Sequence, residues 1–462
     1  MLGAPAPHST DRRLAWEQLR GHDWVAVAAI AGRDANARTW IVPTLRAWNE
    51  QHPIGRSIAW ESAMEAALRI FSLVAVGGLA GPHPLYARMI FEHAEFVSHR
   101  LSAHSSANNH LIIELAALVL AWRVSDLPRQ HSETLGRLEV AIAAQLFADG
   151  VHVEMATHYH AFVLEALAIV AACERWFGAA HRWLDTTIAA MSDYLAAIRC
   201  GDGSLLQQGD DDGGRVVPGF ALPAGSAETR SRHFAASGQI VLRSPRVHAA
   251  LDAGPFGFGS LAAHAHCDAL ALYLAIDGAP LLVDRGTYRY TDDHGMRDRL
   301  RGTAAHSTLQ VGALEQADVR GPFLWGRRPT VVVERADLGD RDVVIASHDG
   351  FAPAIHRRRL VRDGDALLVV DRADTAYPLT ARFHLPPGIE AAIDGQVVRT
   401  PRGWFEVTGT PTLTTTPHSP RYDVLESAIT IEVRGQRELA CVIGPGSYDP
   451  VIARALLAAR ED

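Results

Sequence analysis

The spacing of apolar residues changes once along this sequence, and that change constrains the fold more than any other feature. From residue 16 to residue 200, apolar residues recur at spacings of three and four, as in segments 58–73 and 109–122. Such spacing predicts consecutive amphipathic helices. From residue 239 onward the spacing becomes two, and β-branched residues concentrate. The sequence therefore predicts a helical half followed by an all-β half.

Turn signals divide the helical half, which we place at residues 1–200. Gly77-Gly78 and Asp149-Gly150 are examples of these signals. Roughly eight helices with short connections predict stacked helical hairpins, in either a solenoid or a closed toroid. Ser132 precedes one helical run and is expected to be its N-cap.

Short strands joined by tight turns are expected in the β half, at residues 238–462. Asp277-Gly278 and Asp363-Gly364 each lie between two apolar runs, which predicts two-residue hairpins. Because no helix separates most of the strands, the expected fold is an antiparallel sandwich. Residues 201–237 are interpreted as a linker, and its acidic run at 210–212 as a solvated loop rather than a cation site.

Charge and composition exclude several classes of partner. The formal net charge is −8, which disfavours binding to nucleic acid or to an anionic membrane. No apolar stretch approaches the roughly 20 residues of a membrane span. Residues 1–23 lack the pattern of a signal peptide, so a cytoplasmic location is expected by default. The four cysteines are scattered without CxxC spacing and are expected to be buried.

Three polar clusters carry the candidate chemistry, and the first is Asn108-Asn109-His110 at the start of a predicted helix. An asparagine at this position is usually a helix cap. Two asparagines and a histidine at a helix N-terminus also form a neutral hydrogen-bonding site for a carboxylate. Glu114, one turn further on, is placed to orient the His110 ring.

The second cluster is Tyr159 between His158 and His160, at the start of an apolar helix. By residue type alone, the favoured interpretation is a half-buried aromatic side chain with its hydroxyl in water. The alternative is proton transfer, for which nearby positive charge would lower the pKa of Tyr159 from its ordinary value of about 10.

The third cluster begins with His264 and His266, which face the same side of a strand because they are two residues apart. Asp284 and His306 follow within about forty residues, and such nitrogen and oxygen ligands suit zinc. Isolated histidines are more often structural, but four candidates in one segment favour a site. A rival interpretation is a metal-dependent hydrolase with a zinc-activated water and Asp268 as its base.

These clusters belong to a longer series of motifs, which are residues 60–69, 108–112, 149–160, 264–268, 282–288 and 305–308. In content and order the series resembles the heparinase II/III-like polysaccharide lyases, a group related to several alginate lyase families. The resemblance implies an N-terminal (α/α) toroid, incomplete because the helical half is short, followed by a C-terminal antiparallel β-sandwich. It also implies β-elimination on an acidic, uronate-containing polysaccharide.

The resemblance assigns roles to individual residues. Four match the catalytic positions: Asn109 and His110 at the uronate carboxylate, Tyr159 as the acid or as both base and acid, and His264 as the catalytic histidine of the sandwich. Three match the ligands of a zinc ion, expected to be structural: His266, Asp284 and His306.

Further residues are expected to hold the substrate, since arginine and tyrosine side chains bind carboxylates, sulfates and sugar hydroxyls. They are Asn108, Arg69, Tyr288, Tyr290, Arg297 and Arg301. The resemblance implies a periplasmic or secreted location, against the cytoplasmic default, so the compartment stays open. A non-catalytic carbohydrate-binding protein on the same fold is the alternative from another class, and the joint presence of the four catalytic residue types weighs against it.

Overall fold

The computed structural model of the chain describes residues 12–31, 35–104, 107–226 and 229–460. Within these residues, nine α-helices precede the first strand and two more follow later. They are α1 (Arg12–Gln18), α2 (His22–Ala31), α3 (Ala35–Gln51), α4 (Ala63–Ala80), α5 (Pro84–Ser98), α6 (Asn109–Val124), α7 (Pro128–Ala144), α8 (Thr157–Trp176), α9 (Arg182–Ala197), α10 (His294–Arg301) and α11 (Pro450–Ala458). Short 3-10 helices lie at Ile58–Trp60 and Thr303–Ala305.

The strands of the described residues all come after α9. They are β1 (Arg232–Phe234), β2 (Gln239–Arg243), β3 (Val247–Asp252), β4 (Leu272–Ile276), β5 (Ala279–Leu282), β6 (Leu309–Val311), β7 (Val319–Gly321), β8 (Leu324–Trp325), β9 (Val331–Asp337), β10 (Arg341–Phe351), β11 (Ala354–Asp363), β12 (Ala366–Ala373), β13 (Leu379–His384), β14 (Ala392–Asp394), β15 (Val397–Arg399), β16 (Gly403–Val407), β17 (Thr410–Arg421), β18 (Val424–Gly435) and β19 (Glu438–Pro445). The predicted order of a helical half and then a β half is confirmed.

The chain divides into two compact units by its internal contacts. The helical unit comprises Met1–Leu146, Ala161–Ser192 and Gly214–Pro223. The β unit comprises Phe147–His160, Asp193–Gly213 and Ala224–Asp462. The domain boundaries that the sequence suggests, at residues 200 and 238, stay a prediction.

Helix α4 is the central element of the helical unit and packs against α2, α5 and α6. It begins after Ser62, whose side chain accepts a hydrogen bond from the Glu65 N–H and so caps the helix. The Glu65 carboxylate is buried and forms a bidentate pair with Arg20, with both N–O distances 2.8 Å. A charged pair of this geometry is tolerated in a core because each charge satisfies the other.

Among the described helices, α4 alone is long and apolar enough to span a membrane by length and composition, whereas the sequence suggests no such stretch. The stretch is 56% buried within the protein. Core helices of globular domains have the same properties, so this is weak evidence for a span.

Helix α7 shows how a proline sets a helix start. The sequence suggests Ser132 as the N-cap, but the helix begins one turn earlier, with Pro128 in its first turn and Leu127 as the cap residue. Proline suits that position because its fixed φ is helical and its missing N–H would have no partner there. The prediction for Ser132 is therefore wrong.

The β unit is built from antiparallel sheets, as predicted. Within the described residues the strand orders are β1-β2-β3-β4-β5, β14-β15-β16-β19-β12-β11-β10-β9, β17-β18-β13-β6 and β7-β8. The first three sheets contribute to one apolar core that includes Leu251, Leu367 and Ile431. Both predicted hairpins are present. The turn at Asp277 and Gly278 has positive φ at both residues, as a two-residue hairpin between twisted strands requires.

Candidate active site

Two tyrosines and a histidine meet in the β unit. Tyr159 lies in the first turn of α8, and its ring stacks on the His264 ring with 3.7 Å between centroids and 22° between planes. The Tyr159 hydroxyl oxygen lies 2.7 Å from the hydroxyl oxygen of Tyr290. All three side chains are at least nine-tenths buried. The structure thus brings together Tyr159 and His264, from separate motifs, and Tyr290, which is predicted to bind substrate.

The first turn of α8 is held against the segment that precedes Asp210. The Thr157 N–H donates to the Gln208 carbonyl at 3.0 Å, and the Gln208 N–H donates to the Thr157 hydroxyl at 3.2 Å. Gly209, between Gln208 and Asp210, has a φ of +64°. A Cβ at this position would lie 2.9 Å from the Ala156 Cβ. Glycine is therefore required at this position, because both the backbone conformation and the close packing exclude a side chain.

Asp210 makes contacts to three other residues of the site, and the prediction that it lies in a solvated loop is wrong. Its carboxylate is fully buried and forms a bidentate pair with Arg297, with one N–O distance of 2.7 Å. It also contacts His264 Nδ1 at 3.1 Å and His266 Nε2 at 2.9 Å. The acidic run is thus not a solvated loop. Gly209 and Gly213 lie on either side of the acidic run. They were the sequence signal for burial of this run, because glycine permits a close approach of the backbone to other elements.

The charges around Tyr159 favour its neutral form. Burial raises the pKa of Tyr159 well above its ordinary value, and the nearby carboxylates of Asp212 and Asp210 raise it further. The expectation that positive charge lowers this pKa is therefore wrong for the structure described. Tyr159 holds its proton and is suited to donate it.

The protonation of Asp210 fixes the tautomer of His264. Burial opposes an anionic Asp210, but the Arg297 guanidinium and the two histidines hold its pKa well below the usual range. Because an anionic carboxylate only accepts hydrogen bonds, His264 Nδ1 carries the proton. His264 Nε2 is then the basic atom of the ring, as required of a general base.

A second group of buried side chains could hold a metal ion. His266, Asp268, Asp284 and His306 each offer one ligand atom, and these atoms lie within 4.8 Å of one another. His266 Nδ1 and His306 Nε2 are buried without a hydrogen-bond partner, which is costly unless a ligand occupies the space. The three predicted ligands are therefore brought together, and the residues fit a metal ion. Asp268, which the sequence suggests only as a base, lies in the same group.

The Asn108-Asn109-His110 motif begins α6 in the helical unit. Asn108 is the N-cap, and its side-chain oxygen accepts from the His110 N–H at 3.2 Å. Asn109 is fully buried, while His110 is partly exposed. The Glu114 carboxylate accepts hydrogen bonds from the Ser102 N–H and hydroxyl, both at 2.7 Å. Glu114 thus anchors the chain before the motif, whereas the sequence suggests that it orients His110.

Ionisation of Glu114 is expected to destabilise the protein as the pH rises. Burial raises the pKa of Glu114 to about 7, although the Ser102 hydrogen bonds act to lower it. Glutamate in an unfolded chain has a pKa of about 4.3. The stabilisation that the neutral, buried Glu114 side chain provides is therefore complete below about pH 4, and it is lost as the pH rises through about 7. We expect the loss to be about 3–4 kcal/mol in the free energy of unfolding.

Urea denaturation across this pH range checks the expectation. Glu114→Gln removes the titrating group, so its profile should be flatter than that of the wild type. Glu133→Gln is the control, because Glu133 is 62% exposed and pairs with Arg129 only at the surface. Parallel profiles for the wild type and Glu114→Gln would contradict the assignment.

The three arginines predicted to hold the substrate are all fully buried. Arg69 lies in the helical unit, where it donates to His93 Nε2 and to the Ala59 carbonyl. In the β unit, Arg297 binds Asp210, and Arg301 donates to the Pro322 and Gly321 carbonyls. These internal contacts favour a positioning role over the predicted contact with substrate.

The predicted substrate tyrosines differ in their surroundings. Tyr290 is buried, and the Arg297 guanidinium lies over its ring at 5.1 Å from the centroid. Tyr288 is partly exposed and has a φ of +62°, and its N–H donates to the Ser419 hydroxyl at 3.0 Å. Tyr290 is thus part of the buried group around Tyr159. The predicted substrate role of Tyr288 stays a prediction.

Family models match both halves of the chain. The model of the heparinase II/III N-terminus matches residues 11–183, and the model described as heparinase II/III-like, C-terminal, matches residues 226–446. Together they cover most of the sequence. The comparison with curated proteins gives no match.

Several solved structures share the fold. Heparinase III is 16% identical with a TM-score of 0.76, covering 96% of this chain and 79% of that one. A mutant of the heparan sulfate lyase HepC from Pedobacter heparinus is 17% identical with a TM-score of 0.68 and the same coverage. A chondroitinase AC lyase is 10% identical with a TM-score of 0.57, covering 91% of this chain and 73% of that one. At such low identity the likeness shows the fold alone, and it agrees with the predicted toroid and sandwich.

Proposed function

Since this chain belongs to the heparinase II/III family, we propose that it is a polysaccharide lyase that cleaves an acidic, uronate-containing polysaccharide by β-elimination. The observation that carries the proposal is the stacking of Tyr159 on His264. It places a protonated hydroxyl beside a histidine whose Nδ1 is bound to a buried carboxylate. The relatives of known structure named as a heparan sulfate lyase and a chondroitinase AC lyase support an acidic substrate.

The reaction requires a base and an acid, and these two side chains supply them. His264 Nε2 removes the C5 proton next to the uronate carboxylate, and the Tyr159 hydroxyl protonates the leaving O4. Asp210 keeps the His264 ring in the required tautomer and stabilises the imidazolium that forms. Tyr290 holds the Tyr159 hydroxyl by a hydrogen bond. After turnover, His264 releases the C5 proton to water and Tyr159 regains one proton from water, so the net proton count is unchanged.

Proton removal also requires that the charge of the uronate carboxylate be offset. We assign this task to Asn109 and His110, on the family resemblance. Hydrogen bonds to a carboxylate strengthen as the enolate-like intermediate accumulates charge, and such electrostatic stabilisation is usually the largest catalytic contribution. Arg297 and Arg301 support the site from within the β unit.

The double bond formed at C4–C5 gives a direct test. Incubation with alginates, glycosaminoglycans, glucuronans and bacterial exopolysaccharides is expected to release products that absorb in the ultraviolet, because elimination conjugates the new double bond with the carboxylate. Reducing ends released without that absorbance would contradict the lyase and indicate a hydrolase. Binding without any new ends would indicate a carbohydrate-binding protein.

We propose further that His266, Asp284 and His306 bind one zinc ion with a structural role. The donor set is suitable because zinc prefers imidazole nitrogen and carboxylate oxygen. His266 already has the required support, since its Nε2 is bonded to Asp210 while Nδ1 remains for the metal. When bound, the ion would neutralise buried carboxylate charge and connect three chain segments.

Removal of this metal is expected to lower the melting temperature by about 5–10 °C, because an ion present at about 100 times its Kd stabilises the fold by about 2.7 kcal/mol. Differential scanning calorimetry with and without a chelator measures the shift, and reloading with zinc is the control. A purified protein with no stoichiometric metal, whose melting point ignores the chelator, would contradict the proposal.

A further inference from the structure

Asp268 lies in the same group as the three predicted metal ligands, and its position there calls for an explanation. It follows His266 by two residues, it is buried, and its ligand oxygen lies within the same 4.8 Å as the atoms of His266, Asp284 and His306. Within the described residues, the Asp268 carboxylate makes no ion pair and no hydrogen bond to another side chain. A buried carboxylate in this situation takes up a proton unless a cation or a hydrogen-bond donor stabilises its charge.

The surrounding charges point to a cation. Asp252, Asp268 and Asp284 are all buried, and no lysine or arginine in the described part of the chain forms an ion pair with any of them. Asp252 has other partners, since it accepts from the Gln239 amide at 2.6 Å and from the Gly254 N–H at 3.2 Å. Asp284 lies 2.9 Å from His306 Nδ1. Asp268 alone of the three has no side-chain partner, and it lies beside two orphaned histidine nitrogens.

We propose that Asp268 is the fourth protein ligand, so that two histidines and two aspartates close the metal site. The inference rests on the metal binding proposed above. Structural zinc sites have four protein ligands, whereas catalytic sites have three and leave one position for water or substrate. A closed site keeps the ion away from the substrate, and proton transfer then belongs entirely to side chains.

A cysteine at position 268 gives a positive signal for ligation. In the full-length protein loaded with cobalt(II), which accepts the same ligands as zinc, Asp268→Cys should produce a thiolate-to-cobalt charge-transfer band in the near ultraviolet. Asp252→Cys is the matched control, because it removes a neighbouring buried carboxylate outside the ligand group and should give no band. An Asp268→Cys protein that binds cobalt without this band would overturn the proposal.

Closure of the site is tested on the wild-type protein, so the result does not depend on whether a variant folds. Azide added to the cobalt-loaded wild type should leave the visible spectrum unchanged, because no coordination position is open. In Asp268→Ala it should change the spectrum, and cobalt affinity should fall by more than the roughly 100-fold that loss of an outer partner costs. A wild-type spectrum altered by azide would refute closure. A wild type that binds neither zinc nor cobalt would instead refute the metal site itself, whatever the lyase assay shows.

Discussion

Tyr159→Phe is expected to lower kcat by about 10²–10⁴-fold, which is the usual contribution of a general acid. The substitution removes only the hydroxyl, while the ring that stacks on His264 remains. We therefore expect little change in substrate affinity or in the free energy of unfolding. Steady-state kinetics on the best polymer of the panel, followed by ultraviolet absorbance, provides the measurement.

Two other tyrosines are suitable for comparison. Tyr194→Phe is the control for loss of a buried hydroxyl, since Tyr194 packs on His160 and Phe234 and has no assigned role. Tyr290→Phe removes the hydroxyl that bonds to Tyr159. It should lower kcat by a smaller factor than Tyr159→Phe does. If Tyr290→Phe abolished turnover while Tyr159→Phe retained it, the acid would be Tyr290.

Asp210→Asn is expected to damage both stability and turnover. The buried Arg297 would keep its charge without a counter-charge, and removal of one partner from such a pair typically costs about 3–5 kcal/mol. His264 would lose the carboxylate that fixes its tautomer, so kcat should fall by at least about 10²-fold even at temperatures where the variant is folded. Urea denaturation and kinetics on the same preparation measure the two effects.

An exposed pair of the same geometry provides the control. Arg246 and Asp277 also form a bidentate pair, with both N–O distances 2.7 Å, but both side chains are solvent-exposed. Asp277→Asn should therefore lower the free energy of unfolding by about 1 kcal/mol or less. The double variant Asp210→Asn/Arg297→Gln should regain stability without regaining turnover. Recovery of both properties would show that Asp210 serves the fold only.

The fold could be predicted from the sequence because periodicity reports directly on burial. Helical spacing before residue 200 and alternation after residue 239 follow from which side chains face each core, and hairpin turns such as Asp277-Gly278 follow from local backbone preference. The start of α7 was mistaken because a serine with cap chemistry was preferred to a proline one turn earlier. Both residues are compatible with a helix start, and only packing decides between them.

The metal group was predictable in part, and Asp210 was not. The family motifs suggest His266, Asp284 and His306 together, and the structure places them together. Asp210 lies in an acidic run typical of solvated loops, and its partner Arg297 is 87 residues further along the chain. No local pattern links the two residues. The direction of the Tyr159 pKa could not be predicted for a related reason, because burial raises this pKa most and the carboxylates that raise it further come from the same acidic run.

The stacked arrangement of Tyr159 and His264 has a stereochemical consequence for the proposed elimination. Rings with centroids 3.7 Å apart leave no room for a pyranose between them, so both side chains approach a bound sugar from one face. A base and an acid on one face remove H5 and protonate O4 in the syn sense. In D-glucuronate and D-mannuronate these two substituents lie on the same face of the ring, whereas in their C5 epimers, L-iduronate and L-guluronate, they lie on opposite faces. The stack therefore favours cleavage at D-glucuronate or D-mannuronate units.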